Sequence, residues 1–408
     1  MQSMFTALLA LVAPVPPQEP AAKPAPEIVV TGTRLSDSEK ALSACIARHC
    51  PPKEDIAATL AHAENLFVAG KYENAQNTAA AGIRRNRGYA AELPREVASL
   101  FRAHARLSAH LGEVALERSS TIDMVSSLRA GLGNDNPDVL VGQIELADVY
   151  AKVFNVRIAE SNYREIEKAA LAIGNRKVEG YARFRRGILL ASLAKPDYAY
   201  TFRARQVFRE LAASPVPEHA AFAAAARQGL ERMSLRGASP ERINQMLASI
   251  RSAPPTARPT LLYGEPVDLN NARTATNAQS EGAVMSGTSM MSADLVEDQW
   301  IDVAFYIDAN GLPQEIETIR TSDHYSGDWA KAVAKSIATR RYAPLTIVNG
   351  EPGVFRVERY TKTASLQVTT GSRLATRSPI ARIEMTDLSV EPTASAGAGS
   401  ANVPRPIV

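Results

Sequence analysis

Histidine, cysteine and tryptophan are scarce in these 408 residues, at six, two and two, and each scarcity removes a class of chemistry. His49, His62, His104, His110, His219 and His324 are scattered, and His104 and His110 lie six apart, which does not bring two ligands to one helix face. Cys45 and Cys50 flank His49 but lack the second Cys or His pair of a zinc site, which leaves a local disulfide or two free thiols. No phosphate loop of the form G-x-x-x-x-G-K-S/T occurs, and no G-x-S-x-G elbow presents a serine. Gly131-Leu132-Gly133 falls in a loop, and Glu315 and Glu317 read as acids on a solvated strand face. The expectation is a chain with no catalytic residues, metal, cofactor or small-molecule substrate, hence not an enzyme. Charge of one sign is lacking too. With 46 basic and 43 acidic residues the net charge is +3, so no bulk electrostatic argument points to nucleic acid. The short clusters Arg84-Arg85-Asn86-Arg87 and Arg183-Phe184-Arg185-Arg186 read as solvated helix faces.

Long apolar runs are absent as well. Residues 4–15, MFTALLALVAPV, form the main one, about a dozen residues. That is short of the ~20 a spanning helix needs and matches the core of a secretory signal. The reading is a signal peptide over 1–15 and export to the periplasm of a Gram-negative envelope, with membrane contact only by association. A disulfide between Cys45 and Cys50 fits such an oxidising compartment.

What is present over 53–250 is alanine, leucine and a period near 3.6. Candidate tight turns at Gly70, Gly112, Asn155 and Pro196 are 42, 43 and 41 residues apart. Candidate breaks at Gly88, Gly131 and Gly174 are 43 apart, with another at Ser214-Pro215. Two interleaved series with one period predict an array of four helical hairpins, closed by a pair over 220–235 and 240–250. The first unit resembles a tetratricopeptide repeat in Ala63, Gly70, Tyr72 and Ala75, and the third keeps Leu146, Ala147, Tyr150, Ala159 and Tyr163 in similar roles. The resemblance implies a surface that binds proteins or peptides. The period of about 42 exceeds the usual ~34 of that family, so the helices must be longer.

Residues 299–361 change character. Ile301, Val303, Phe305 and Ile307 alternate with Asp302, Ala304, Tyr306 and Asp308, the pattern of a half-buried strand. Asn310-Gly311 predicts a hairpin turn into a second strand over 314–321. Asp328 caps a helix that lines up Trp329, Val333 and Ile337, and a third strand follows an Asn349-Gly350 turn. This β-β-α-β order, with Ile307-Asp308-Ala309-Asn310-Gly311 and Arg341-Tyr342-Ala343-Pro344, resembles the C-terminal domain of the TonB family of energy transducers. The expected fold class is therefore multi-domain: an α-helical hairpin solenoid followed by a small α+β domain. The resemblance implies that the strand after the helix, Val354, Phe355, Arg356, Val357, Glu358, Arg359, Tyr360 and Thr361, accepts an extended segment of a partner.

A second resemblance lies near the start, where Glu27, Ile28, Val29, Val30, Thr31 and Gly32, followed by Thr33 and Arg34, are similar to the TonB-recognition segment of TonB-dependent receptors. The expected division is 1–15 signal, 16–52 flexible segment, 53–250 helical repeats, 251–294 linker, 295–370 TonB-like domain and 371–408 mostly disordered tail. Within the linker, residues 259–266 are apolar enough to lie along the C-terminal domain, and residues 365–370 and 380–385 are β-prone. The expected function is a protein-binding scaffold near TonB-dependent transport machinery, with receptor segments or TonB-system components as partners. The alternatives are a true energy transducer, and a self-regulated module whose N-terminal strand docks on its own C-terminal domain.

Overall fold

The computed structural model describes residues 34–194, 198–235, 241, 245, 258–269, 299–347, 351–368 and 375–389. A helical region of about ten helices is followed by a small antiparallel sheet domain. The expected signal segment, the Glu27–Gly32 stretch, Pro196, all of the 240–250 segment but residues 241 and 245, and the Asn349-Gly350 turn lie outside the described residues. No helix among the described residues is long and apolar enough to cross a membrane.

The helices are α1 (Leu35–Ala47), α2 (Pro52–Val68), α3 (Tyr72–Asn86), α4 (Pro94–His110), α5 (Val114–Leu132), α6 (Pro137–Lys152), α7 (Val156–Ala172), α8 (Arg176–Leu193), α9 (Tyr198–Ala212) and α10 (Ala220–Leu235). Proline opens α2, α4 and α6, where its missing N–H removes no helical bond. The Asn136 and Asn175 side chains accept from the backbone at the starts of α6 and α8. Helices α2 to α9 form the four anticipated hairpins. Their 43-residue period has a direct consequence in contacts between successive units: Arg95 bonds Asp138, Arg102 bonds Glu145, Glu160 bonds Arg203, and the carbonyl of Arg176 meets His219, each pair 43 apart. Buried alanines and glycines allow the close approach; a Cβ at Gly187 would run into the Phe208 ring. The arginine clusters are therefore not simply solvated. Arg85 bonds Asp55 and Thr59, Arg185 bonds Asp148, and Arg186 bonds Glu167.

Ahead of the array, α1 replaces part of the segment expected to be flexible. Its buried Leu42 and Cys45 face α2, and a Cys45–Cys50 disulfide with Cα atoms 5.2 Å apart ties the loop between the two helices.

The sheet domain contains β1 (Leu261–Tyr263), β2 (Gln299–Ile307), β3 (Pro313–Thr321), α11 (Trp329–Ala338), β4 (Arg341–Tyr342), β5 (Val354–Val368) and β6 (Ala375–Asp387). One antiparallel sheet runs β3-β2-β5-β6, and β1 pairs with β4 beside it. The apolar stretch in the linker thus lies along the domain as a strand. A hairpin turn forms at Asn310-Gly311 as a connection over 308–312 in which Gly311 but not Asn310 takes positive φ: Asp308 accepts from the amides of Asn310 and Leu312, and Gly311 takes φ 77 against the carbonyl of Tyr342. Asp328 holds the cap position of α11 but makes no side-chain cap bond, pairing instead with Lys331. Ile301, Val303, Phe305 and Ile307 pack on Trp329, Val333 and Ile337, which closes the core on one face of the sheet.

Two features depart from expectation. Strand β6 lies in the tail expected to be mostly disordered, and pairs with β5 from Glu358↔Asp387 to Val368↔Ala375. Strand β2 is not half-buried, because Asp302 on its polar face is fully buried as well. Its cover is the helical array.

Candidate partner-binding surface

The connections inside the hairpins, at 69–71, 111–113 and 153–155, form a row of tips along one edge of the array. The polar face of the sheet lies across them. At the first tip, Arg359 carries the contact. Its guanidinium grips Asp302 in a fork, Nε to Oδ1 at 2.7 Å and Nη2 to Oδ2 at 2.9 Å, with both residues fully buried. It also donates to the carbonyls of Phe67 and of Val68, the latter at 2.9 Å, and stacks 4.0 Å over the Trp300 ring. Those carbonyls end α2; that of Phe67 also accepts from the Gly70 amide at 2.9 Å, and a cation here sits at the negative end of the helix dipole. Tyr72 Oη meets Thr361 Oγ1 at 3.0 Å, and burial pushes its phenol up to about 12.

At the second tip, His110 bridges two strands, with Nδ1 2.8 Å from Thr361 Oγ1 and Nε2 3.1 Å from Thr386 Oγ1. Leu366 donates its amide to the carbonyl of Gly112 at 2.9 Å, and Arg382 reaches the carbonyl of Ala109 at 2.9 Å. At the third, Lys152 pairs with Glu117 at 2.8 Å and with Glu384 of β6 at 3.2 Å.

Gly70 and Gly112 serve two needs at once. Both take left-handed backbone, φ 77 and 75. A Cβ at Gly70 would sit 2.5 Å from the Trp300 ring, and one at Gly112 would overlap the carbonyl of Ala364.

Burial also sets the pH response of this junction. His110 is packed against Phe67 and Tyr72, and burial lowers its pKa to about 4; Glu384 opposes this, while Lys152, Arg359 and Arg382 add to it. The folded value lies below the 6.5 of a free imidazole, so the unfolded chain takes the proton first as pH falls. His110's contribution is complete above that pH and declines between 6.5 and about 4, by up to about 3 kcal/mol. Urea unfolding at neutral pH and near the lower limit should show His110→Gln losing less stability on acidification than the wild type. Equal losses would remove His110 as the sensitive group.

The strand expected to accept a partner is placed in the interior of the sheet. Val354, Phe355, Arg356, Val357, Glu358, Arg359, Tyr360 and Thr361 all pair with β2, from Ile307↔Val354 to Trp300↔Thr361. Their other side is covered from Val357 onward. The Val357 amide donates to Ser389 Oγ at 2.9 Å, its carbonyl accepts from Leu388 at 2.8 Å, and β6 continues from Glu358. Side chains from this strand go to both faces. Glu358 and Tyr360 join Arg340 and Tyr342 in a buried network under the core, Arg359 and Thr361 face the array, Phe355 meets Tyr306, and Arg356 pairs with Asp387. Among the described residues, the sheet edges that pair on one side only are β3 and β6.

Two other features bear on binding. A groove of about 480 Å³ lies among α7, α8 and α9. Its charged rim is paired internally, Arg183 and Arg186 with Glu167, Arg164 and Arg203 with Glu160. Large rings also stand out in solvent at the far tips, Phe154, Tyr198 and Phe202. Among the described residues no group of three or more His, Cys, Asp or Glu is placed to hold a metal ion.

Sequence reasoning missed the Asp302–Arg359 pair and His110 at the junction, having placed Arg359 on a partner-accepting strand, and it marked only 380–385 of β6 as β-prone. One signal was available for the first pair: with Ile301 opposite Tyr360 in the core, Asp302 and Arg359 fall directly opposite on the other face.

No protein-family model matches the chain, and no curated protein matches it.

Proposed function

We propose that the protein is an exported interaction scaffold of the cell envelope, whose TonB-like sheet adds an extended segment of a partner protein at a free edge. The observation that carries this reading is the sheet itself: four antiparallel strands with their polar face fixed on the hairpin tips and, among the described residues, β3 and β6 as the outermost strands. An edge of that kind offers a row of backbone donors and acceptors to another chain. The succession β2, β3, α11, β5, with the two-residue β4 falling between α11 and β5, supports the resemblance to the TonB C-terminal domain. The Cys45–Cys50 disulfide suits an oxidising compartment, in keeping with export. The receiving edge in this reading is not Val354–Thr361, since β6 already covers most of that strand.

The test is site-specific photocrosslinking in intact cells, with the crosslinker at Glu317 on β3, at Ile383 on β6, and at Leu171 on the array surface. Crosslinks to one protein from a sheet edge are the expected result, with the scaffold recovered in the envelope fraction. Crosslinks from Leu171 alone would move the binding site to the helices and sink strand addition.

A further inference from the structure

The connection from α1 to α2 has the same form as four others in the array. His49 and Cys50 donate their amides back to the carbonyls of Ile46 and Cys45, as Gly70 and Lys71 do to Phe67 and Leu66, and as the residues at 112–113, 154–155 and 174–175 do in turn. In each pair the first residue takes left-handed backbone. Glycine holds that place at Gly70, Gly112 and Gly174, because a side chain there is strained. His49 takes it at φ 52 with its side chain exposed. A helix stop of this form frequently carries an apolar contact between the two residues of its longer bond. Here those residues are Cys45 and Cys50, and they are joined covalently. The disulfide therefore clamps a residue that does not favour its own backbone. Phe154 is the other exception, but it joins α6 and α7, which have neighbouring helices on both sides.

Helix α1 has little else to hold it. At 13 residues it is too short to be stable alone in water. Among the described residues it buries Ser38, Leu42 and Cys45, and it packs chiefly on α2 at the end of the array. Ser38 Oγ lies 3.0 Å from His62 Nδ1, and Leu35 joins the cluster of Leu66, Ala75, Ala79 and Leu107. Phe67 packs on the same cluster, and its ring meets His110 at 5.0 Å and the Arg359 guanidinium at 5.4 Å. The end of the array that α1 closes thus backs the tip that grips the sheet. The two sulfurs are not equally reachable: Cys45 is buried, whereas Cys50 is half-buried in the loop beside exposed Arg48 and His49.

We propose that the Cys45–Cys50 disulfide is a redox catch on α1, opened by thiol–disulfide exchange with a protein dithiol reductase. A thiolate of the reductase attacks Cys50 Sγ, the S–S bond breaks, and Cys45 leaves as a thiolate that takes up a proton. The second cysteine of the reductase attacks the mixed disulfide and releases Cys50 as a thiol. Two electrons and two protons pass to the pair, and the reductase ends as a disulfide. With the clamp gone, His49 leaves the left-handed region, α1 loses its stop and detaches from α2, and the support behind Phe67 slackens. The catch is independent of strand addition, since it acts on the junction of array and sheet and not on a sheet edge.

The test uses the oxidised full-length protein with dithiothreitol as the reductant, thiol alkylation to count opened cysteines, and amide hydrogen exchange to read the structure. Both cysteines should alkylate without denaturant. Amides of α1 should then exchange about tenfold faster or more, with a smaller acceleration at Gly70 and Lys71 and none in α7 and α8. Cys45→Ser with Cys50→Ser should match the reduced protein with or without dithiothreitol. His49→Gly tells a catch from a plain staple: it removes the left-handed strain, so it should slow α1 exchange in the reduced protein several-fold. No slowing in that variant overturns the role of the strained stop. Cysteines that alkylate only in urea, or α1 amides that stay protected after reduction, overturn the catch itself. Acceleration throughout the array makes the disulfide a global stabiliser and overturns it too, while acceleration confined to α1 overturns the link to the sheet.

Discussion

Arg359→Met is expected to release the sheet from the helical array and to cost about 3–5 kcal/mol, the scale of breaking a buried ion pair by removing one partner. The loss has three parts. Asp302 stays fully buried without its fork, the carbonyl of Val68 loses the Arg359 donor while that of Phe67 keeps the Gly70 amide, and the stack on Trp300 disappears. Arg320, about half exposed, still reaches Asp302 and keeps the loss toward the lower end. The two tryptophans separate undocking from unfolding, since Trp300 stands at the junction and Trp329 in the domain core. In urea the Trp300 emission of the variant should shift at lower concentration than that of Trp329. Adding Asp302→Ala to Arg359→Met removes the orphaned charge, so the double variant should be no less stable than Arg359→Met. Coincident transitions with an unchanged midpoint would show that the pair contributes little to docking.

Gly112→Val is the second large effect, with an expected cost of about 3 kcal/mol or more. A β-branched residue in left-handed backbone is strained on its own, and here its Cβ also overlaps the carbonyl of Ala364 and displaces the Leu366 amide from the carbonyl of Gly112. Gly174 supplies the control. It has φ 72, close to that of Gly112, and ends its helix with the same pair of backbone bonds, but a Cβ there meets nothing within 4 Å. Gly174→Ala should therefore show the backbone cost alone, about 1 kcal/mol. The gap between Gly112→Ala and Gly174→Ala measures the sheet contact, and equal losses would mean that the sheet does not press on the second tip.

The hairpin array was legible because its signals are local. Turn residues recurring every 41 to 43 positions and the period near 3.6 can be read along the chain without knowing what packs on it. The β2–β3 hairpin and the apolar face of α11 were legible for the same reason, with Asn310-Gly311 fixing the turn. The junction was not. Asp302 and Thr361 look like the solvated side of a strand, and what buries them lies more than 200 residues earlier in the chain. A two-residue period shows that a strand has two faces but does not say what covers the polar one. Strand β6 was legible in part, as the β-prone piece 380–385. Its alternate residues Arg382, Glu384 and Thr386 are polar because they face the tips, so the pattern does not show that the segment joins the sheet until its partners are known.

Amide hydrogen exchange on the full-length protein without any partner tests the central claim most directly, because the site depends on which strand ends the sheet. Amides of β5 from Val357 onward should be protected on both sides of the strand, with fast exchange confined to the outward amides of β6 and β3. Rapid exchange at the β5 amides that point toward β6 would contradict this arrangement, and would return Val354 to Thr361 to the role of open edge.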